Sequence, residues 1–407
     1  MRNGTSMLNT RREAIRVAVI ADCDYQETPL GGVVSLLRNM LVVDGCGLVE
    51  FSLIGISFDP SEREGEWQQK SIQEKKYPWF PAFLCPKEKD DTRIPLRFRL
   101  VAGIRKYRSL INLDRFDAIY IHSAETILAL GSIRIPIVVH VHGDPLITIT
   151  RSRFRLLHWN VFVRVYGKII KKAFDRASGI IWAANSCRRD YYRRIGVSDN
   201  PGWDNKSAVI HSSVDPLMLE SSEEYSLPLN TSSKKIITVG RLSEVKHIDF
   251  LIEVFSEMSK DRDSVFYIAG AGECESSLRN VAQRLGCSEK VCFLGNVNKL
   301  QLASLLSQMD VFVFASESEA MSLVVLESMA AGVPVVSTKV GDLDEVVNES
   351  TGALIGGRDL PVFVNAVGHC LDKGKEHYSK ECRRVARGYT ASAMRGNIER
   401  FIESCIR

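Results

Sequence analysis

At 407 residues the chain is too long for one ordinary core and suits two or three domains of roughly 100–200 residues each. Hydrophobic residues at 45%, charged residues at 25%, 28 Gly and 13 Pro exclude a disordered, collagenous or low-complexity chain, and the length excludes a lone small binding module. The net charge of +4 hides an asymmetry: residues 1–215 carry 32 Lys and Arg against 23 Asp and Glu, whereas residues 216–407 carry 21 against 26.

The first apolar run, Ile15–Ala21, is interrupted by Arg16; it is too short and too charged for a signal peptide and predicts a strand over Val17–Ala21. A polar stretch, Gly31-Gly32 and a helical pattern through Val33, Leu36, Leu37, Met40 and Leu41 follow, which is the strand, glycine loop, helix order of a nucleotide-binding α/β unit. Val49–Ile56 is the next expected strand. Residues 59–93 are charged and carry Pro78, Pro81 and Pro86, so they read as a long loop or insertion. Beyond the basic segment Arg97–Arg108, apolar runs at Ala118–Ile121, Pro136–Val141 and Gly179–Ala183 alternate with helical stretches, the rhythm of a parallel sheet covered by helices.

A seventh run spans Val209–Pro216, and the polar segment Glu220–Lys235 reads as a linker. A second series of strands is expected at Ile236–Val239, Phe266–Ala269, Val291–Leu294, Val311–Phe314 and Val333–Ser337. Gly388–Arg407 closes the chain as an amphipathic helix with Ile398, Phe401, Ile402 and Ile406 on one face. The ten cysteines form no Cys-x-x-Cys pair and fall largely in apolar stretches, the usage of reduced, mostly buried thiols in a cytoplasmic protein. No run of about 18 uncharged apolar residues occurs, so no membrane span is expected.

The sharpest pattern lies between Ser316 and Pro334. Gly332 fits the residue after a helix C-terminus and Pro334 a position beyond it, so a helix is expected from about Met321 to Ala331. Glu319 then sits in the preceding loop, and Glu327 lies about two turns inside with its side chain leaning back toward the N-terminus. The N–H groups of Ala320, Met321, Ser322 and Leu323 point into the same space, with the positive end of the helix dipole behind them. Two acceptors and a row of donors suit a ligand with both hydroxyls and phosphate. Spacing alone equally allows Glu319 as a plain helix cap and Glu327 as a surface charge.

Glu319 and Glu327, eight positions apart and followed by Ser-Met-Ala-Ala-Gly-Val-Pro-Val-Val and then by Gly341 and Glu345-Val-Val, resemble the signature of the retaining family 4 glycosyltransferases of GT-B fold. Upstream, Val239-Gly240-Arg241-Leu242 through Lys246, then Tyr267-Ile-Ala-Gly270-Ala-Gly272, then Lys290-Val-Cys-Phe-Leu-Gly295 continue the resemblance in order. It is strong over residues 236–352 and weaker in the N-terminal half, through Gly31-Gly32-Val33, Val138-Val-His-Val-His142-Gly and Ser212-Ser-Val-Asp215.

The resemblance implies two Rossmann-like, doubly wound domains facing across a cleft. Residues 1–213 would bind the acceptor, residues 214–387 the donor, and the helix at 388–407 would cross back onto the first domain. It implies transfer of a sugar, with retention, from a nucleoside diphosphate (UDP first, GDP second) to a hydroxyl of a glycan or lipid-linked acceptor, with no cofactor. By similarity, Arg241 and Lys246 meet the diphosphate, Glu327 the ribose, Glu319 the donor sugar, and Gly31 and Gly32 the diphosphate from the other domain. His142, expected at a strand's carboxyl end, meets the donor sugar. The alternatives within the same fold are a non-catalytic nucleotide-sugar-binding subunit or sensor and a nucleotide-sugar epimerase.

The chain departs from the family pattern at four places. Ala320-Met321-Ser322 stands where Gly-Phe-Gly or similar is usual, which narrows the space at the sugar; His247 replaces a glycine, His211 an asparagine and Asp342 a second glycine. His140-Val-His142 with Asp144 nearby also has the form of a metal pair. With eight histidines in all and no second cluster at a matching strand end, the expectation is no required metal. Asp22-Cys-Asp24 and Asp342-Leu-Asp344 have the Asp-x-Asp form of another glycosyltransferase fold but not its context. Gly270-Ala-Gly272 lacks the third glycine of a dinucleotide fingerprint, Glu275 standing there.

Residues 151–194 hold twelve Lys and Arg against Asp175 and Asp190, interleaved with Phe154, Trp159, Phe162 and Tyr166. Such helices either solvate their charge or lie peripherally on an anionic membrane, with Arg97–Arg108, Phe98 and Tyr107 extending the face. No nucleic-acid motif accompanies the charge, so no nucleic-acid partner is expected.

Overall fold

The structure, a computed structural model, describes residues 14–26, 32–85, 94–143, 160–214, 218, 225–228 and 233–407. The chain forms two α/β domains. The N-terminal sheet has the strand order β3-β4-β2-β1-β5-β6-β7-β8 and the C-terminal sheet β11-β10-β9-β12-β13-β14. The first comprises β1 (Ile15–Ile20), β2 (Val49–Ser57), β3 (Gln68–Ile72), β4 (Lys75–Leu84), β5 (Ala118–Ile121), β6 (Ile137–Val141), β7 (Gly179–Trp182) and β8 (Ser207–Val209). The second comprises β9 (Lys234–Val239), β10 (Ser264–Ala269), β11 (Val291–Gly295), β12 (Val311–Phe314), β13 (Val335–Thr338) and β14 (Gly352–Ile355). All neighbouring pairs are parallel except β3 with β4.

The core strands are apolar on both faces because helices cover both sides of each sheet. β5, β6, β7, β10, β12 and β13 are buried along their whole length. In each domain the chain enters the sheet at an internal strand, β1 or β9, winds outward one way and then returns to wind the other way. The loops leaving β1 and β5, and those leaving β9 and β12, therefore diverge to opposite faces and leave a crevice at the strands' carboxyl ends.

Residues 59–93 are not a loop throughout. β3 and β4 form an antiparallel hairpin that extends the first sheet, β4 pairing with β2. Pro78 and Pro81 both lie inside β4, and the β2–β4 register shifts beside Pro81, between Gly55 and Ile56. That irregularity accommodates a residue unable to donate to the ladder. Lys70 is buried in the hairpin because Glu62 accepts from its ammonium at 2.8 Å and the Trp79 ring lies 4.8 Å beneath it. Two smaller differences concern strand limits: of the run at 209–216 only Val209 is strand, as the last residue of β8, while residues 210–214 carry no regular structure and 215–216 lie outside the described residues; and Gly352–Ile355 adds an unexpected edge strand. The linker expected at 220–235 falls mostly outside the described residues.

The final helix, Ala391–Ile406, returns to the N-terminal domain, where Met394, Ile398 and Ile402 enter the same core cluster as Val17, Leu37 and Phe51. Its polar anchor is Glu399, fully buried, which accepts from Arg395 Nε at 2.8 Å and from the backbone N–H of Cys46 at 2.7 Å. Arg395 Nη1 in turn donates to the carbonyls of Met40 and Val43 at 3.2 and 2.6 Å. Among the described residues no helix is long and apolar enough to cross a membrane.

Removing one member of a buried pair strands the other charge, so Glu399→Ala is expected to cost about 3–5 kcal/mol. Glu399→Gln, which can still accept, should cost less. Urea denaturation of both variants checks this order.

Candidate functional site

In the C-terminal domain the site grows from the crevice between β9 and β12. After β9 the chain passes through Gly240, Arg241 and Leu242 into a tight turn at Glu244–Lys246, and His247 takes a left-handed conformation (φ 46°) before the helix Ile248–Met258. After β12 the loop 315–322 leads to the helix Leu323–Ala330. Backbone bonds tie the two loops together: the N–H of Glu317 donates to the carbonyl of Val245 at 2.9 Å. The loop after β10 packs against the first of them. A Cβ on Gly270 would lie 1.9 Å from the carbonyl oxygen of Gly240, and one on Gly272 would lie 2.2 Å from that of Leu242. These two glycines serve backbone-to-backbone packing.

That arrangement joins Lys246 and Glu319 in a half-buried ion pair, with the ammonium 5.3 Å from the Phe314 ring centroid. Glu327 lies deeper. It is 1% exposed, pairs with Lys299 through Oε1 and leaves Oε2 buried without a hydrogen-bond partner. An unmet buried acceptor costs about 1–3 kcal/mol, which a ligand hydroxyl would recover. Arg241 is not part of this cluster. It is exposed and faces Glu273 at 3.5 Å, on the loop after β10.

The helix begins at Leu323, two residues later than the spacing predicts, and Ser322 makes no side-chain capping bond. The first-turn amides therefore receive no capping bond from Ser322. At the other end the N–H of Gly332 donates to Met329 and that of Val333 to Ser328, at 2.9 and 3.0 Å, with Gly332 at φ 79°. This is the Schellman closure that the position of Gly332 predicts. Met321 and Ser322 are buried, Met321 within the C-terminal core, and Ala320 packs against the N-terminal core.

In the N-terminal domain the crevice at β1 and β5 is a cavity of about 380 Å³ lined by Asp22, Gly32, Arg97, His122, Glu125 and His142 among others. Gly32 and His142 are thus brought together, and among the described residues a Cβ on Gly32 would meet no atom within 4 Å beyond its own chain neighbours. Gly31 lies outside the described residues, as do Asp144 and Asp215. Among the described residues no hydrogen bond or ion pair links His142 directly to Lys246, Glu319 or Glu327.

Residues 221–387 match the glycosyl transferases group 1, and residues 59–216 match glycosyltransferase family 4. The chain belongs to the family 4 glycosyltransferases of GT-B fold. An uncharacterized glycosyltransferase of Methanocaldococcus jannaschii is 26% identical over 263 residues, which is 62% of this chain and 65% of that protein, just under two thirds of its length. The UDP-Gal:alpha-D-GlcNAc-diphosphoundecaprenol alpha-1,3-galactosyltransferase of Escherichia coli is 28% identical over 321 residues, 73% of this chain and 79% of that one. The fold matches Anabaena HepE, solved in complex with UDP and glucose, with a TM-score of 0.69 at 17% identity over 96% of this chain and 100% of that one.

Two residues beside this site are not singled out by the sequence. Lys299 follows β11 at the start of the helix Lys299–Ser307 and reaches Glu327 from 28 positions away in sequence. His122 follows β5 directly, so a histidine does stand at the strand end beside β6, contrary to the sequence expectation. Because β5 and β6 are parallel neighbours, His122 Nδ1 lies 2.8 Å from His142 Nε2, and the Tyr120 hydroxyl lies 2.5 Å from His140 Nδ1.

The ligating nitrogens of His122, His140 and His142 lie within 4.8 Å of one another, the spacing that makes a metal conceivable. These rings are already engaged within the protein, however: His122 Nδ1 and His142 Nε2 face one another in a 2.8 Å hydrogen bond, His140 Nδ1 meets the Tyr120 hydroxyl, and the His140 ring stacks on that of His142 at 4.2 Å. Zinc would instead need three free lone pairs converging at about 2.0–2.1 Å from one point.

Burial pushes the His142 imidazole down to about 4 and holds His122 and His140 well below the usual histidine value of 6.5. The unfolded chain therefore binds more protons below about pH 6.5. The stability contributed by the neutral histidines is full above that value and is lost as pH falls through about 4. Denaturation midpoints measured from pH 7.5 downward should fall steeply in this window, and His142→Gln should flatten that slope.

Proposed function

We propose that this chain is a retaining, metal-independent glycosyltransferase. It would move a hexose-type sugar from a nucleoside-diphosphate donor, with UDP as the nucleotide, to a hydroxyl of a glycan or lipid-linked acceptor. The observation that carries the reading is the cluster at the β9–β12 crevice: a cation, Lys246, against Glu319, with the buried, half-satisfied Glu327 behind them. UDP is favoured because HepE was solved with UDP and glucose and the Escherichia coli relative is named for UDP-Gal.

In this reading the ribose hydroxyls donate to Glu327, filling Oε2 and drawing Oε1 from Lys299. The diphosphate lies against Lys246 and the amides of Ala320, Met321, Ser322 and Leu323. Arg241, on a flexible stem with its guanidinium in solvent, swings from Glu273 to join it. Charge accumulates on the diphosphate as the glycosidic bond breaks, and these donors stabilise it most at that point. Glu319 orients the donor sugar. Gly32, preceded by Gly31, lets the N-terminal loop approach the phosphates. His142, held neutral, offers a hydrogen bond to the sugar without adding a charge. The departing phosphate takes the acceptor's proton on the same face, which preserves the anomeric configuration.

We further propose that the N-terminal domain, in the cytoplasm, rests on an anionic membrane to reach a lipid-linked acceptor. In the helix Asn160–Arg176, Phe162 and Val165 are exposed beside Arg164, Lys168, Lys171 and Lys172. The contributing face is smaller than the sequence implies. Tyr166 is turned inward to Glu125, Tyr107 bonds Glu64, and Arg97, Arg105 and Arg108 bond groups within the fold. Phe154 and Trp159 lie outside the described residues.

Glu327→Ala and Lys246→Ala should each reduce transfer from a UDP-sugar by about tenfold or more, since each removes a charge-assisted contact. Wild-type rates in both would overturn the site assignment, and NMR of the product's anomeric proton checks retention. Liposome flotation should recover the chain with anionic vesicles and leave it behind with neutral ones; Phe162→Ser should weaken recovery. Failure to float with either lipid would end the membrane proposal.

A further inference from the structure

The two domains are joined at one place by polar contacts that the reaction as described does not use. Asp342, 1% exposed, stands in the loop after β13, in the C-terminal domain. Its carboxylate accepts from the backbone N–H groups of Asn185 and Ser186, the latter at 2.8 Å, at the start of the helix Asn185–Ile195 in the N-terminal domain. That helix has Ala184 at its cap position and no side-chain capping bond of its own. Its first amides are therefore satisfied from the other domain, by a full negative charge at the positive end of the helix dipole. Arg189, one turn on, adds its guanidinium at 3.5 Å.

Beside this contact, Glu345 accepts from His211 Nε2 at 2.9 Å and from the Asn185 side chain at 3.3 Å. The His211 ring is oriented by the Ala183 carbonyl, 3.0 Å from Nδ1. His211 and Asp342 are two of the four positions at which the chain departs from the family pattern, and they meet the same helix terminus.

Asp342 is also tied to the donor loop. Its own N–H donates to the carbonyl of Ala320 at 2.9 Å. Gly341, at φ 61°, lies so close to that carbonyl that a Cβ would come within 2.2 Å of the oxygen. Ala320, the residue after Glu319, packs its methyl group against the N-terminal core. One residue therefore connects the helix terminus of one domain to the backbone beside the carboxylate of the other.

We propose that Asp342 is a positioning residue: it locks the loop carrying Glu319 to the N-terminal domain, so that donor and acceptor halves of the site hold one relative orientation. This rests on the transferase reading for its consequence, though not for its existence. Loss of the lock should lower turnover more than nucleotide affinity, because the groups proposed to hold the nucleotide stay within the C-terminal domain.

The test combines hydrogen exchange with kinetics on the full chain, using Asp342→Ala, Asp342→Asn and, as a neighbouring control, Asp344→Ala, whose carboxylate pairs only at the surface with Lys339. In Asp342→Ala, exchange across residues 184–190 and 318–323 should quicken by about tenfold or more while peptides from β9, β10 and β12 keep wild-type protection. Turnover with a UDP-sugar should fall about tenfold, with UDP affinity changed by less than about threefold. Asp342→Asn, which keeps one acceptor oxygen, should lie between, and Asp344→Ala should match wild type. Unchanged exchange at either segment overturns the lock, and quickened exchange with wild-type turnover overturns the positioning role. If the wild-type chain transfers no sugar, the transferase reading fails while the two exchange segments still decide the lock.

Discussion

A parallel sheet entered at an internal strand leaves its helices on opposite faces where the winding reverses, and that one constraint opens the two crevices around which the candidate site is built. It occurs twice, at β1–β5 and at β9–β12. Strand ends at these points carry His122, Gly240 and the loop of Glu319, and the neighbouring strands add His142 after β6, Lys299 after β11 and Asp342 after β13. Packing enforces the C-terminal crevice closely. Gly270 and Gly272 let the loop after β10 lie against the carbonyls of Gly240 and Leu242, and this contact supports the turn that presents Lys246.

The carboxylates in that crevice carry cations already, Lys246 on Glu319 and Lys299 on Glu327. A partly buried ion pair gains little net free energy, because desolvation offsets the Coulomb attraction. Such pairs are therefore poised for exchange: a ligand bringing phosphate for the lysine and hydroxyl for the carboxylate replaces each partner without stranding a charge. Glu327 is asymmetric in this respect, with Oε1 paired and Oε2 unmet, so a hydroxyl gains a hydrogen bond there before Lys299 has to move.

Most of the fold is legible in the sequence because buried parallel strands are short β-branched runs, and the helices between them leave few topologies. The loop-helix pair at 315–332 is legible for a local reason, since Gly332 marks the helix end within one residue. What escapes is whatever depends on neighbours in space. Pro78 and Pro81 argue against a strand unless a register shift and an antiparallel partner are known, and Lys70 reads as solvent-exposed until Glu62 and Trp79 enclose it. His122 gains meaning only when β5 and β6 are adjacent, and Lys299 only when the loop after β11 lies over Glu327. Asp342 reads as a plain departure from a family pattern because its partner amides, at Asn185 and Ser186, belong to the other domain.

The division of charge between the halves also takes on a narrower meaning. Several arginines of the basic half are spent on the fold: Arg97 on Glu125, Arg105 and Arg108 on carbonyls at the end of a short helix. Around the N-terminal cavity the described charges are Asp22, Arg97 and Glu125, and the three histidines beside them are held neutral by burial. Among the described residues the excess of basic side chains is thus not gathered at this end of the cleft. It lies outward, on the helix Asn160–Arg176, where Lys168, Lys171 and Lys172 face solvent. If this site handles a diphosphate as proposed, a net acidic domain leaves that task to a few placed cations, and long-range attraction plays the smaller part, because exposed charges are screened within about 8 Å at physiological salt.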